Sequence, residues 1–135
     1  MSLLFERLTS QVIKSYFDVF NTLGHGFLER VYENALCLEL DTKGISYQRQ
    51  KAIEVYYRGN KVGYYVADII VENELIIEVK AAESLREEHE CQLINYLRAT
   101  NLECGLLMNF GKKPEFRRKI FTNEHKSNFR PQRFS

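Results

Sequence analysis

The sequence lacks several features, and each absence argues against a class of protein. No run of 18 or more apolar residues occurs, so no segment is expected to span a membrane. The first residues lack the basic start and long apolar stretch of a signal peptide. Cys37, Cys91 and Cys104 lie far apart without a CxxC pair, which argues against a structural zinc site and favours reduced thiols. We therefore expect an intracellular, cytoplasmic protein.

Length and charge set the next limits. The 135 residues fit one domain, and 44% hydrophobic with 27% charged residues is ordinary for a globular protein. The net charge of +1 conceals an asymmetry, because residues 112–135 carry eight basic residues: Lys112, Lys113, Arg117, Arg118, Lys119, Lys126, Arg130 and Arg133. This segment either attracts phosphates or is a solvated terminus, and charge alone favours neither. We predict one domain over residues 1–121 and a basic C-terminal tail over 122–135.

Helical spacing dominates the first third of the chain. Apolar residues recur every three or four positions at Phe5, Leu8, Val12, Tyr16, Phe17, Phe20 and Leu23. Gly24 and Gly26 then interrupt the pattern, and a second helix is predicted over residues 27–43. Gly44 is suited to end it in the left-handed conformation. A third helix is predicted over residues 84–100, with Ser84 as its N-cap.

Between the second and third helices the pattern becomes that of strands. Residues 53–57 are rich in β-branched and aromatic side chains, and residues 58–61 resemble a hairpin turn. Strands are predicted over residues 62–71 and 75–80, joined by a turn centred on Asn73, and a last apolar strand over 104–110. The order α-α-β-β-β-α-β predicts an α/β domain with a mixed sheet flanked by helices.

The turn at Asn73 brings two acidic residues together. If pairing is symmetric about that turn, Asp68 lies directly opposite Glu78, and alternation places Lys80 on the same face. Two opposed carboxylates repel each other unless a cation lies between them or one is protonated. Two acids and a lysine suit phosphodiester hydrolysis with a divalent metal. The alternative is a solvent-facing charged stripe, which this spacing alone does not exclude.

Polar residues also recur at helical spacing on two helices. Glu29, Tyr32 and Glu33 share one face of the second helix, and His89, Gln92 and Tyr96 share one face of the third. Each set either points into a shared cleft or lines a wet surface.

Several of these motifs occur together in one known family. Gly26-x-x-Glu29-x-x-Tyr32 resembles the name-giving motif of the GxxExxY protein family, and the resemblance continues through residues 32–36, 65–68, 77–81, 89–93 and 105–110. It spans roughly residues 8–121. The resemblance implies a restriction-endonuclease-like αβββαβ core of the PD-(D/E)XK nuclease-like superfamily, here with an extra N-terminal helix. Ala67 stands where the superfamily name has proline.

The resemblance also implies roles for particular residues. Asp68 and Glu78 would bind Mg²⁺ or Mn²⁺, with the Val79 backbone carbonyl as a further ligand. Lys80 would be the catalytic lysine, and Glu29 and Gln92 would be the acidic and polar residues that the flanking helices supply.

Three functions follow as hypotheses. The first is a metal-dependent nuclease acting on DNA or RNA, with the basic tail attracting the substrate. The second is a non-catalytic nucleic-acid-binding or accessory module that retains the fold. The third is a structural interaction protein, with Tyr56, Tyr57, Tyr64 and Tyr65 forming an adhesive sheet surface that has no acidic cleft.

Overall fold

The computed structural model describes residues 3–126 and 131–134, with side chains from Glu6 onward. The described residues form three α-helices, α1 (Leu3–Leu23), α2 (Glu29–Thr42) and α3 (Glu87–Ala99), and a short 3-10 helix (Asn123–His125). The five strands are β1 (Tyr47–Tyr57), β2 (Asn60–Val71), β3 (Leu75–Lys80), β4 (Cys104–Phe110) and β5 (Pro114–Ile120). The side chain of Phe5 and all of Arg130 lie outside this description. No helix in the described ranges is long and apolar enough to cross a membrane.

The strands form one mixed sheet in the order β1-β2-β3-β4-β5. β3 and β4 are parallel and are joined through α3, whereas the other neighbouring pairs are antiparallel. The predicted mixed sheet flanked by helices is confirmed. β5 was not predicted, because its exposed basic residues mask a strand that pairs along the full length of β4.

Helices cover both faces of the sheet, which makes a three-layer structure. α1 and α2 pack on one face, where Tyr16, Tyr32 and Leu36 join Ile77 and other buried strand residues. α3 packs on the opposite face through Leu93 and Leu97. Because side chains alternate along β3, Leu75, Ile77 and Val79 belong to the first core, and the intervening residues face α3.

The ends of the elements agree with the sequence at most points. Gly44 has a φ of +70° and follows Lys43, the C-cap of α2, in the left-handed conformation that was predicted. The β1–β2 turn has positive φ at Arg58 and Gly59, the conformation of a tight hairpin. The predicted Ser84 cap is wrong: α3 begins at Glu87, and His89 Nδ1 accepts the Arg86 backbone N–H at 3.0 Å. The imidazole therefore satisfies the backbone N–H of the N-cap residue, as the third helical residue of a capping box does.

Candidate functional site

The turn between β2 and β3 sets the register of the site. Glu72 and Asn73 both have φ of 53°, and the ladder pairs Val71 with Leu75, Ile70 with Ile76 and Ile69 with Ile77. These pairs have the predicted register. Continued by one step, that register places Asp68 opposite Glu78.

At that step, carboxylate oxygens accept hydrogen bonds from backbone N–H groups of the two strands. Asp68 donates its backbone N–H to Glu78 Oε2 at 2.8 Å, and Val79 donates its backbone N–H to Asp68 Oδ2 at 2.8 Å. Glu78 is only 3% exposed, and Asp68 is half-buried. Two acidic side chains are therefore held against each other by the backbone, in a place with little water to screen them.

Burial makes both acids reluctant to ionise. Burial raises the pKa of Glu78 to about 8, and the charge of Asp68 acts in the same direction. Burial also raises the pKa of Asp68, against the lowering effect of its hydrogen bond from Val79. The Lys80 ammonium lowers the pKa of both acids and so lies close to them. One nearby lysine leaves the pair under-compensated, and a cation would relieve this.

Lys80 and Gln92 meet at the same place. Lys80 Nζ donates a hydrogen bond to Gln92 Oε1 at 3.2 Å, which ties the end of β3 to α3. Lys80 is half-buried and is therefore accessible to a bound molecule. The structure thus brings together two residues that lie far apart in sequence.

Glu29 reaches the site from the other side. It is the first residue of α2 and lines a cavity of about 500 Å³ together with Glu33, Gln50 and Asp68. Its charge raises the pKa of both Asp68 and Glu78, so it lies within electrostatic reach of the pair. All five candidate residues (Glu29, Asp68, Glu78, Lys80 and Gln92) are therefore grouped around the point where β2 and β3 part.

The glycine and tyrosine of the 26–32 motif position Glu29. Gly26 has φ of +111°, a conformation that side chains other than glycine rarely adopt. The Tyr32 hydroxyl donates to Gly24 O at 2.7 Å and accepts the Phe27 N–H at 3.2 Å. Its buried ring stacks on Phe110 with centroids 4.2 Å apart. The motif fixes the loop before α2 and hence the place where Glu29 begins the helix.

Two further residues belong to this cluster: Glu33, which helical spacing placed on the face of Glu29, and Gln50, which sequence reasoning missed. Glu33 is 3% exposed and accepts hydrogen bonds from Arg49 at 2.8 and 3.0 Å. Gln50 Nε2 donates to Glu33 at 2.9 Å and approaches Asp68 Oδ1 at 3.5 Å, from a backbone with φ of 48°. The spacing of four from Glu29 indicated Glu33, but no pattern in the sequence singles out Gln50.

A buried asparagine holds the chain directly after Lys80. The Asn109 side-chain amide accepts the Ala82 N–H at 2.9 Å and donates to the Ala82 carbonyl at 3.0 Å. The Tyr16 hydroxyl donates in turn to the Asn109 carbonyl. This contact between β4 and the segment after β3 fixes the direction in which the chain leaves the site.

The C-terminal basic residues differ in their environments. Arg117, Arg118 and Lys119 lie on β5, where Arg117 pairs with Glu115 at 2.9 Å and Lys119 pairs with Glu90. Lys126 is 3% exposed and donates to the carbonyls of Thr100 and Leu102 at 2.9 and 2.7 Å. Burial lowers the pKa of Lys126 to about 8. Lys126 therefore serves the fold and is not available to a phosphate.

The donor set can be compared with the needs of a metal ion. Within residues 3–126 and 131–134, no three His, Cys, Asp or Glu side chains are placed to hold a metal by themselves. Mg²⁺ is commonly held by one or two carboxylates, with waters and substrate phosphates as its other ligands. The under-compensated oxygen pair of Asp68 and Glu78 fits that mode, and a site built of protein side chains alone does not.

Comparison with known proteins gives one match. The model of a family described as the PD-(D/E)XK nuclease superfamily matches residues 6–119, which is most of the chain. No curated protein and no solved structure gives a significant match.

Proposed function

The chain belongs to the PD-(D/E)XK nuclease superfamily, and we propose that it hydrolyses phosphodiester bonds in DNA or RNA with a bound Mg²⁺ or Mn²⁺. The fold agrees, because an αβββαβ core follows one extra N-terminal helix. The observation that carries the proposal is the Asp68–Glu78 pair, which is buried, linked through backbone N–H groups and next to Lys80.

The cation would be held by the carboxylates of Asp68 and Glu78, with the Val79 carbonyl as the further ligand. Once bound, it would supply Lewis-acid chemistry, lowering the pKa of water and neutralising charge on the phosphate. Its binding would also remove the repulsion between the two acids, which is why burial of the pair is compatible with a stable fold.

Lys80 acts on the reacting phosphate. Its ammonium would stabilise negative charge that develops in the transition state, where a preorganised cation has its largest effect. Gln92 holds the ammonium in place through the 3.2 Å hydrogen bond. Glu29, at the mouth of the cavity, would accept a proton from water or orient it.

Membership of the GxxExxY family within the superfamily is part of this proposal. Its support is the structural role of the motif, since Gly26 and Tyr32 shape the loop that places Glu29 at the site. The cavity lined by Glu29, Glu33 and Asp68 argues against a purely structural interaction protein, for which no acidic cleft is expected.

The test is cleavage of DNA and RNA, each single- and double-stranded, in Mg²⁺, Mn²⁺ and chelator. Wild type should cleave only with a metal. Lys80→Ala should retain metal and nucleic-acid binding and lose most cleavage, because the lost interaction belongs to the transition state. Binding by the wild type without cleavage under any metal would establish the non-catalytic binding module instead.

A further inference from the structure

A second cavity, on the α3 side of the sheet, adjoins the candidate site. It has a volume of about 470 Å³, within the range of roughly 300–1,000 Å³ that is usual for small-ligand sites. Tyr65 of β2 and Tyr96 of α3 supply aromatic surface, and Gln92 lies on its wall. Since Gln92 also accepts the hydrogen bond from Lys80, the cavity opens beside the residue that acts on the phosphate.

The aromatic surface of this cavity is the ring of Tyr65, which packs against a second ring. Tyr65 is 49% exposed, and its ring packs against the buried ring of Tyr96 with centroids 5.6 Å apart. One side of Tyr65 is thus held by the core, and much of the rest is open to a ligand. Flat heteroaromatic rings stack on such side chains whatever their hydrogen-bonding pattern.

The polar part offers both donors and acceptors. Gln92 and Asn95 lie three residues apart on α3 and both line the cavity. Within the described ranges the Asn95 side chain makes no hydrogen bond, so its amide is available to a ligand. Glu87 and Glu88 lie on the wall as additional acceptors. Amides and carboxylates are the groups that pair with the edges of nucleobases.

The lining also distinguishes a base from a phosphate. No lysine or arginine of the described residues lines this cavity, and two glutamates do. Backbone phosphates are bound mainly by cations, so this cavity is not suited to bind the phosphate backbone of a duplex. A neutral base with exocyclic amino groups satisfies the aromatic ring, the amides and the acids together.

We propose that this cavity holds an unpaired nucleobase, stacked on Tyr65 and hydrogen-bonded by Asn95, next to the phosphodiester at Lys80. The inference rests on the proposed function and adds a substrate class to it: a single strand, or an unpaired stretch, of DNA or RNA. A base inside a duplex faces its partner and its stacked neighbours, and only an unpaired base presents its edge to the cavity.

The test is the equilibrium binding of fluorescein-labelled oligonucleotides, measured by anisotropy in chelator and again in Ca²⁺. Single-stranded DNA, single-stranded RNA and duplexes of matched sequence are compared. Tyr65→Ala should weaken single-strand binding by about five- to a hundredfold, from the loss of stacking by one base. Tyr65→Phe keeps the ring and should bind within about twofold of wild type. The two single-strand arms show whether the pocket prefers DNA or RNA.

A matched control is the neighbouring Tyr64, which is 62% exposed and contacts Lys61 instead of the cavity. Tyr64→Ala should leave single-strand binding unchanged. Equal losses in Tyr64→Ala and Tyr65→Ala, equal dependence of duplex binding on Tyr65, or no single-strand binding in either buffer would overturn the inference. Tyr65-dependent binding without cleavage in Mg²⁺ would overturn the nuclease proposal and leave the pocket standing. Cleavage by a protein whose single-strand binding does not depend on Tyr65 would overturn the pocket inference and leave the nuclease proposal standing.

Discussion

Glu33 and Glu78 are both 3% exposed, yet their surroundings compensate their charges to very different extents. Glu33 accepts two hydrogen bonds from Arg49 and one from Gln50, so a full cation lies against it. Glu78 accepts one backbone N–H and faces another carboxylate, and burial raises its pKa to about 8. A buried acid with its own arginine stabilises a fold, whereas a buried acid opposed by a second acid is arranged for a cation that arrives later.

The largest difference is expected in catalysis. Glu78→Gln should lower the rate of metal-dependent cleavage by at least about 100-fold, since it removes a charge directed at the reaction. Glu33→Gln should lower it by less than about tenfold, because Glu33 acts on the position of Gln50 and touches no substrate. Single-turnover cleavage of one labelled oligonucleotide measures both. A loss of cleavage rate in Glu33→Gln as large as that in Glu78→Gln would contradict the distinction between the two acids.

For stability, the surroundings of Glu33 should matter more than those of Glu78. Arg49→Ala leaves Glu33 buried without its cation and should lower the free energy of unfolding by about 2–3 kcal/mol. That is below the cost for a fully buried pair, because Arg49 is about one third exposed. Arg30→Ala is the control: Arg30 lies 4.0 Å from Glu33, is 63% exposed, and should cost less than about 0.5 kcal/mol. Urea unfolding measures each; equal effects of the two arginines would contradict the assignment.

In the metal-free protein, the dependence of stability on pH should reveal the raised pKa of Glu78. Its pKa is about 8 in the folded protein and near 4.5 when unfolded, so the native state binds the proton more tightly. The contribution of Glu78 to stability is therefore fully present below about pH 4.5 and is lost, by on the order of a few kcal/mol, as pH rises towards 8. The raised pKa of Asp68 acts in the same direction. Glu78→Gln should flatten most of this slope in chelator. A slope that is unchanged in the variant would show that another group causes it.

The smallest effect concerns the basic residues, and the same contrast of compensated and free charge applies. Arg118→Gln removes an exposed cation of β5 and should weaken nucleic-acid binding a few-fold, with the log–log salt slope reduced by up to about one. Arg117→Gln should do less, since Arg117 already pairs with Glu115. Lys126→Gln should leave the salt slope unchanged and lower stability, because its ammonium is bound by buried carbonyls. Salt titrations of binding rank the three.

The parts of this contrast that depend on local structure could be predicted from the sequence. The turn at Asn73 and strand alternation determine the register, so the Asp68–Glu78 pairing follows from residues ten apart. Glu29 and Gln92 came from family resemblance, because contacts between separate helices and a strand have no periodic signal. The roles of Arg49 and Gln50 could not be predicted from the sequence, because their contacts with Glu33 join β1 to α2. The positive φ of Gln50 also breaks the regular alternation of side chains along β1.

The sheet edge was missed for a related reason. β5 carries Arg117, Arg118 and Lys119, and this run of basic residues shortly after Lys112 and Lys113 shows no alternation of apolar and polar side chains. Its strand character comes from seven pairings with β4 and from Phe116, which packs against the core. Charged edge strands are common, since they discourage pairing with other chains. Local composition therefore gave no strand signal where tertiary pairing makes a strand.

Mn²⁺ binding by titration calorimetry at neutral pH tests the central claim most directly. Wild type and Glu33→Gln should bind one ion with similar affinity. Glu78→Gln and Asp68→Asn should each lose at least about tenfold in affinity, since each removes one of the two anionic ligands. Binding that survives in both of these variants and is lost in Glu33→Gln would contradict the account, because the compensated acid would then be the metal ligand.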